Sequence, residues 1–220
     1  MSEDIRWTTM KQYTSDIANE LAALASIQSD LRFTQRACEL LLTKFSPNVG
    51  NDDELGETAI IRKSLWNAAL IAYARSFATG VRATRLSTAM FDAFAERASD
   101  ALKAHEYFLD QRNKHTAHSV NRLEDVRIIL MVGDGVNITK GVHGGGPFHI
   151  QQAHEQPGNV QTLANLAMVL AQLVEAQISQ KSQQVLSEAR ALNDSQLASL
   201  PDMAIPLPVN LNEVGKRRAQ

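Results

Sequence analysis

Hydrophobic side chains in this 220-residue chain recur with a helical period almost from end to end, and the period breaks once, just after Asn121. That pattern limits the fold more than any other feature. Apolar residues at i, i+3, i+4 and i+7 need helices with one buried stripe, while strict alternation needs strands. Thr14 is a good N-cap and opens a helix to about 45, with Ile17, Leu21, Leu24 and Leu31 on one face. Cys38, Leu41, Leu42 and Phe45 continue the apolar face beyond a kink expected near 28–30, and the polar stretch from Ser46-Pro47 to Gly56 ends it. A second helix over 57–79 carries Trp66, Leu70, Tyr73 and Phe77 at i, i+4, i+7 and i+11, a core stripe, with Gly80 as its stop.

Ser87 begins a third helical stretch, 88–117, with a break expected near 97–99. Past Asn121 the period becomes 2: Val126, Ile128, Leu130 and Val132 alternate with their neighbours, and Gly133-Asp134-Gly135 reads as a hairpin turn. The return strand is expected at 136–142, a second turn at Gly144-Gly145-Gly146-Pro147, and a third strand at 148–152. Pro157 then opens a helix to about 192, with Leu163, Leu166, Leu170, Leu173 and Ile178 on one face. From Asn193 the composition turns to Ser, Pro and Asn, and residues 193–220 read as a polar, mobile tail. The expectation is a mainly α domain over 1–192 with a small β insertion at about 122–152.

Composition excludes several function classes. Twenty-two basic against 24 acidic side chains give a net charge of −2, so the chain is not a uniformly basic nucleic-acid coat. Cys38, the one cysteine, leaves no disulfide framework or Cys-rich zinc module and reads as an apolar filler in a reducing compartment. No basic stretch followed by an apolar one opens the sequence, and segments 68–74 and 166–174 fall short of the roughly 20 apolar residues that span a bilayer. A cytoplasmic protein without a membrane partner is expected.

Common catalytic motifs fail on inspection. The glycine run 141–146 lacks the Gly-Lys-Ser/Thr that opens a phosphate-binding helix. His143, His149 and His154, six and five residues apart, do not make a metal motif, so neither metal nor cofactor is expected. No Gly-x-Ser-x-Gly elbow occurs, and Cys38 has no histidine near it in sequence.

One segment does not fit a plain helix. Ala98, Leu102, His105, Leu109, Arg112 and Thr116 share the stripe expected to face the core, and an arginine there breaks the pattern. A buried, unpaired guanidinium costs several kcal/mol, so Arg112 must pair with a carboxylate such as Asp110 or Glu106, or line a cavity or interface. His105, on the same stripe, reads as a packed, hydrogen-bonded core histidine. His118 lies six residues past Arg112, about 240° and about 9 Å away on an ideal helix. The two converge only where the helix ends or loosens, or where a second helix or subunit closes the pocket. Arg112, Asn113, His115 and His118 together offer a cation, an amide and two imidazoles. Such a set suits phosphodiester chemistry, because a guanidinium grips phosphate oxygens and an imidazole moves protons near neutral pH. Arg62, Arg75, Arg82 and Arg85, on or just past the preceding helix, either extend a basic RNA groove or form a solvated face.

The string Arg112-Asn113-Lys114-His115-Thr116-Ala117-His118 resembles the Arg-x(4–6)-His motif of HEPN domains, all-helical nucleases of prokaryotic defence and toxin systems. Its Lys-His-x-Ala-His-Ser wording is similar to the abortive-infection, AbiU-like branch. The helix of Trp66 and Tyr73-Ala74-Arg75-Ser76-Phe77 and the strand pair after the motif also resemble that branch, over 65–130. The resemblance implies a HEPN-like antiparallel helical bundle and metal-independent RNA cleavage by attack of a ribose 2′-OH on the adjacent phosphorus. It makes His118 the general acid or base, Arg112 the phosphate clamp and Asn113 its aide; beside these, Lys114, His115, Arg75 and Arg82 are expected as RNA contacts from their own charge and placement. It implies a homodimer whose two motifs share one cleft, and an antitoxin protein as partner. The alternatives are a catalytically silent HEPN-like module that binds RNA or protein, and a helical scaffold in which Arg112 and His118 are structural.

Overall fold

The computed structural model describes residues 10–45, 56–78, 80, 82–113, 124–151 and 156–203. It is mainly α, with one two-stranded antiparallel hairpin. α1 spans Asp16–Thr43 and α2 spans Glu57–Arg75. A 3₁₀ segment, Thr88–Arg97, leads into α3, Ala98–Gln111. Strands β1, Glu124–Gly133, and β2, Gly141–Gln151, follow, then α4, Pro157–Arg190, and the short α5, Asp194–Ser199.

α1 and α4 form the main seam. Ala23, Leu24, Ile27, Leu31, Ala37, Cys38 and Leu41 of α1 meet Val160, Leu163, Ala164, Leu166, Ala167, Leu170, Ala171 and Val174 of α4, all buried. Each fully buried large aliphatic side chain stabilises the fold by about 1.5–3 kcal/mol. α1 is continuous through 28–30, because Ile27 and Leu31 pack at 0% exposure on either side of the expected kink. Its N-cap is Ser15, whose Oγ accepts from the Ala18 N–H. Polar contacts set the directions: Ser15 Oγ donates to Glu188, Lys181 pairs with Glu20 and Arg32 with Glu175, so α1 and α4 run antiparallel. α4 is long and apolar enough to cross a membrane by length and composition, beyond what the shorter apolar segments led us to expect; here its apolar row lies against α1.

α2 covers another side of α1. Small residues let the backbones close, and buried Thr34 places its Oγ1 2.9 Å from the Asp30 carbonyl and 3.2 Å from that of Ala69. Leu70 and Tyr73 are buried while Trp66 and Phe77 pack against the core from its edge, as the stripe predicts. α3 meets α2 antiparallel through rings: Trp66 and Tyr73 touch Phe108, and Tyr73 and Phe77 touch His105. The break before α3 falls at Ala95, the one described non-glycine residue with positive φ (51°), two residues ahead of the expected position. It turns the chain so that Phe91 stacks on Phe77 and contacts His105.

The hairpin departs from the sequence reading. The glycine run lies inside the return strand rather than at a turn, residues 136–140 belong to the loop, and no third strand forms among the described residues. Two features explain this. Asp134 gathers the loop with its carboxylate, accepting from the N–H groups of Val136 and Asn137 and from the Asn137 side chain, while Gly135 takes φ 78°. In β2, glycine lets β1 approach: a Cβ at Gly145 would lie 2.6 Å from the Ile129 carbonyl and 2.7 Å from Leu130. Glycine carries no side chain, so period 2 is invisible there. In the stretch read as tail, α5 is capped by Asn193, and the Met203 N–H donates to the Met10 carbonyl while Lys11 pairs with Asp202.

Candidate functional site

α3 carries the motif to its edge. Its buried row is Ala101, His105, Phe108 and Gln111, rotated from the stripe that the sequence implied. Phe108 takes the inward position between Trp66 and Tyr73, and that turns Arg112 from the core to a half-buried place at the rim. The helix does not stop cleanly there. Arg112 and Asn113 continue in a wider, π-type turn, a geometry frequent at functional sites. Arg112 Nη1 donates to Asn113 Oδ1 over 2.9 Å at the surface. Among the described residues, Arg112 is not ion-paired to Asp110 or Glu106.

The other motif residues, Lys114, His115 and His118, lie outside the described residues. Because α2 and α3 run antiparallel, with Trp66 at Phe108, the N-terminal end of α2 shares the bundle end of Arg112. Arg62 belongs to that end but is 6% exposed, so it is not part of a surface groove. Arg75 and Arg82 come together elsewhere, about 20 Å of helix rise beyond Arg62. Both meet the Asp30 carboxylate, at 3.6 Å from Arg75 Nε and 2.6 Å from Arg82 Nη2, and Arg82 also donates to the Arg75 carbonyl. Asp30 was the residue that sequence reasoning missed; mid-helix on α1, it gives no local signal of its two partners.

His105 is as expected a core residue. It is buried among Tyr73, Phe77 and Phe91, and its Nδ1 lies 3.0 Å from the Tyr73 hydroxyl. Burial pushes the imidazole down to about 4, and it raises the Tyr73 phenol. The ring is therefore neutral near pH 7 and out of reach of a solvent-borne substrate. Cys38 is equally closed, with burial pushing the thiol up to about 12, so it supplies no thiolate nucleophile. His143 contacts the Thr139 carbonyl on the hairpin. Among the described residues no three His, Cys, Asp or Glu side chains gather as a metal site.

Fold and site together define a mainly α protein with a β-hairpin between its third and fourth helices and an Arg-Asn pair at the loosened end of the third. No known protein family, curated protein or solved structure matches the chain.

Proposed function

We propose that this protein is a metal-independent RNA endonuclease of the HEPN type, its antiparallel helices forming the HEPN-like bundle, acting as a homodimer in a cytoplasmic defence or toxin–antitoxin setting. The loosened end of α3 supports this reading furthest. Arg112 and His118 cannot share a face of an ideal helix, and the last described turn, Arg112–Asn113, is π-type at the first residues of the motif, while Arg112 itself keeps helical dihedrals and bonds back to the Phe108 carbonyl. A guanidinium has five N–H donors, so its bond to Asn113 is compatible with a bidentate grip on phosphate, and the amide fixes the fork's orientation.

In this mechanism the ribose 2′-OH attacks the adjacent phosphorus and the bond to the 5′-oxygen breaks, leaving a 2′,3′-cyclic phosphate. His118 moves the proton, as base toward the 2′-OH or as acid toward the departing oxygen. Arg112 neutralises charge growing on the phosphoryl oxygens. Lys114 and His115 contact the RNA beside the scissile bond. Arg75 and Arg82 contact its backbone farther along, Arg75 being the more exposed of the two.

The test pairs cleavage with melting. Structured or transfer RNA is incubated with the wild type, Arg112→Ala and His118→Ala, each with EDTA. The wild type should cut, and each variant should lose about 100-fold or more in rate while its melting temperature moves little. Undiminished cleavage by His118→Ala, or activity that EDTA abolishes and magnesium restores, overturns the mechanism. RNA bound but not cut by the wild type, with binding weakened by Arg112→Ala, gives the silent module instead.

A further inference from the structure

The packing around α3 leaves one buried polar atom over. His105 is 3% exposed and its Nδ1 meets the Tyr73 hydroxyl, but its Nε2 has no hydrogen-bond partner among the described residues. Buried ring nitrogens are normally satisfied, and each exception needs an account. Part of the cover over this ring is firmly built. α3 carries it, and Tyr73 of α2 and Phe77 just past the end of α2 stand against it, on a helix that is itself packed on α1. The remaining ring contact comes from the 3₁₀ segment Thr88–Arg97, through Phe91 at 4.9 Å between centroids.

That segment is lightly held and strained. Of its ten residues only Phe91 is buried; Met90 and Phe94 pack at the core's edge and the rest stand in solvent. 3₁₀ backbone has poorer hydrogen-bond geometry than α and rarely runs past 3–4 residues, and Ser87 offers no side-chain cap. Ala95 sits at φ 51° and ψ −121°, the conformation of the first central residue of a type II′ turn, where glycine is favoured. In an alanine this conformation stores strain, which opening of the segment releases. Phe91, stacked on Phe77 at 6.0 Å and 9°, is thus a single plug that holds a strained strap over an under-satisfied imidazole. Leu86, buried and hydrogen-bonded to the Ser76 carbonyl, and the start of α3 at Ala98 bound the part free to move.

Charge acts at the same place. Among the described residues the Tyr73 phenol is the one titratable group against the ring. Asp92, Glu96 and Arg97 of the strap and Lys103 and Glu106 of α3 are exposed, and none of them is ion-paired with it. An imidazolium has two N–H donors. Nδ1 keeps the Tyr73 oxygen as acceptor, whereas Nε2 gains one when water enters.

We propose that the Thr88–Arg97 strap is a proton-driven switch, lifting from α2 and α3 as a unit when His105 is protonated while the α1–α4 seam stays closed. Under the closed strap the imidazole resists a proton until about 4, whereas in water it takes one near 6.5, so the open form gains as the pH falls between these values. The proposal does not rest on the nuclease reading, since none of these residues belongs to the motif.

Amide hydrogen exchange of the full chain, resolved by peptide and corrected for the intrinsic rate, tests it. In the wild type the opening constant of 88–97 should rise about 100-fold from pH 6.5 to 4, and at every pH it should exceed that of 24–41 and 160–174. In His105→Phe the rise should vanish. Ala95→Gly relaxes the strain of the closed form and should lower the opening constant about tenfold, with the pH slope kept. Should His105→Phe not fold, the wild type and Ala95→Gly still decide the matter. A strap that opens with the same constant as the α1–α4 seam overturns the proposal. So does a pH dependence that survives in His105→Phe, or an Ala95→Gly strap that opens as often as that of the wild type.

Discussion

Lowering the pH should destabilise this protein through His105 before other buried groups respond. Unfolded, its imidazole takes a proton near pH 6.5; folded, among Tyr73, Phe77 and Phe91, it resists until about 4. Between these values the unfolded chain binds a proton that the folded one does not, so stability falls as the pH falls. At about 1.4 kcal/mol per pH unit, the loss from pH 6.5 to 4 comes to about 3 kcal/mol. Urea unfolding of the wild type and of His105→Phe, run side by side from pH 4 to 7.5, isolates this contribution because other titrating groups cancel in the difference. The variant leaves the Tyr73 hydroxyl without its partner, an offset that does not change over this range. The gap between the two proteins should therefore shift by about 3 kcal/mol in favour of the variant as acid is added. A gap that stays flat, or an imidazole C2 proton of His105 that titrates near 6.5, would refute the reasoning.

Leu163, fully buried between α4 and α1, should cost about 2–5 kcal/mol as Leu163→Ala in denaturant melts. Tyr73→Phe keeps the ring packing but removes the hydroxyl facing His105 Nδ1, and should cost about 1–3 kcal/mol by the same assay. Asp134→Ala should abolish amide protection of Val136 and Asn137. In the wild type, hydrogen bonds from the loop push the Asp134 carboxyl down to about 2, so the contribution of this carboxylate is present above its ordinary range near 3.8 and persists until the pH falls through about 2. Asp30→Ala removes the shared partner of Arg75 and Arg82; if these two arginines contact RNA, RNA affinity measured by filter binding should rise rather than fall.

Much of the fold was legible because large side chains write their period plainly. The α1, α2 and α4 stripes were read from Leu24, Leu31, Tyr73, Leu163 and Leu170, and each of these is buried. Errors gathered where side chains are small or faces are shared. On α3 the rows through Leu102 and Phe108 are both partly apolar, and contact with Trp66 and Tyr73 of α2 decides that Phe108 turns inward and Arg112 does not. In β2 the consecutive glycines 144–146 erase the alternation that marks β1. For the site, the sequence supplied the residues and the need for a loosened helix end, whereas the Asn113 bond and the Asp30 pairing depend on rotamers and on helices far apart in the chain.

The pairing of Met10–Gln12 with Pro201–Met203 has a mechanical consequence. Gln12 donates to the Pro201 carbonyl and Met203 to that of Met10, so the two crossing segments run antiparallel, with residues 10 and 203 at the same end of the pair. A tension applied at residues 10 and 203 therefore opens this clasp as a zipper, one hydrogen bond at a time, with the Lys11–Asp202 contact between them. Such a clasp yields at low force. The α1–α4 seam behind it runs in the same sense, with Ser15 opposite Glu188 and Glu20 opposite Lys181, so it too would be peeled from its end rather than sheared along its length.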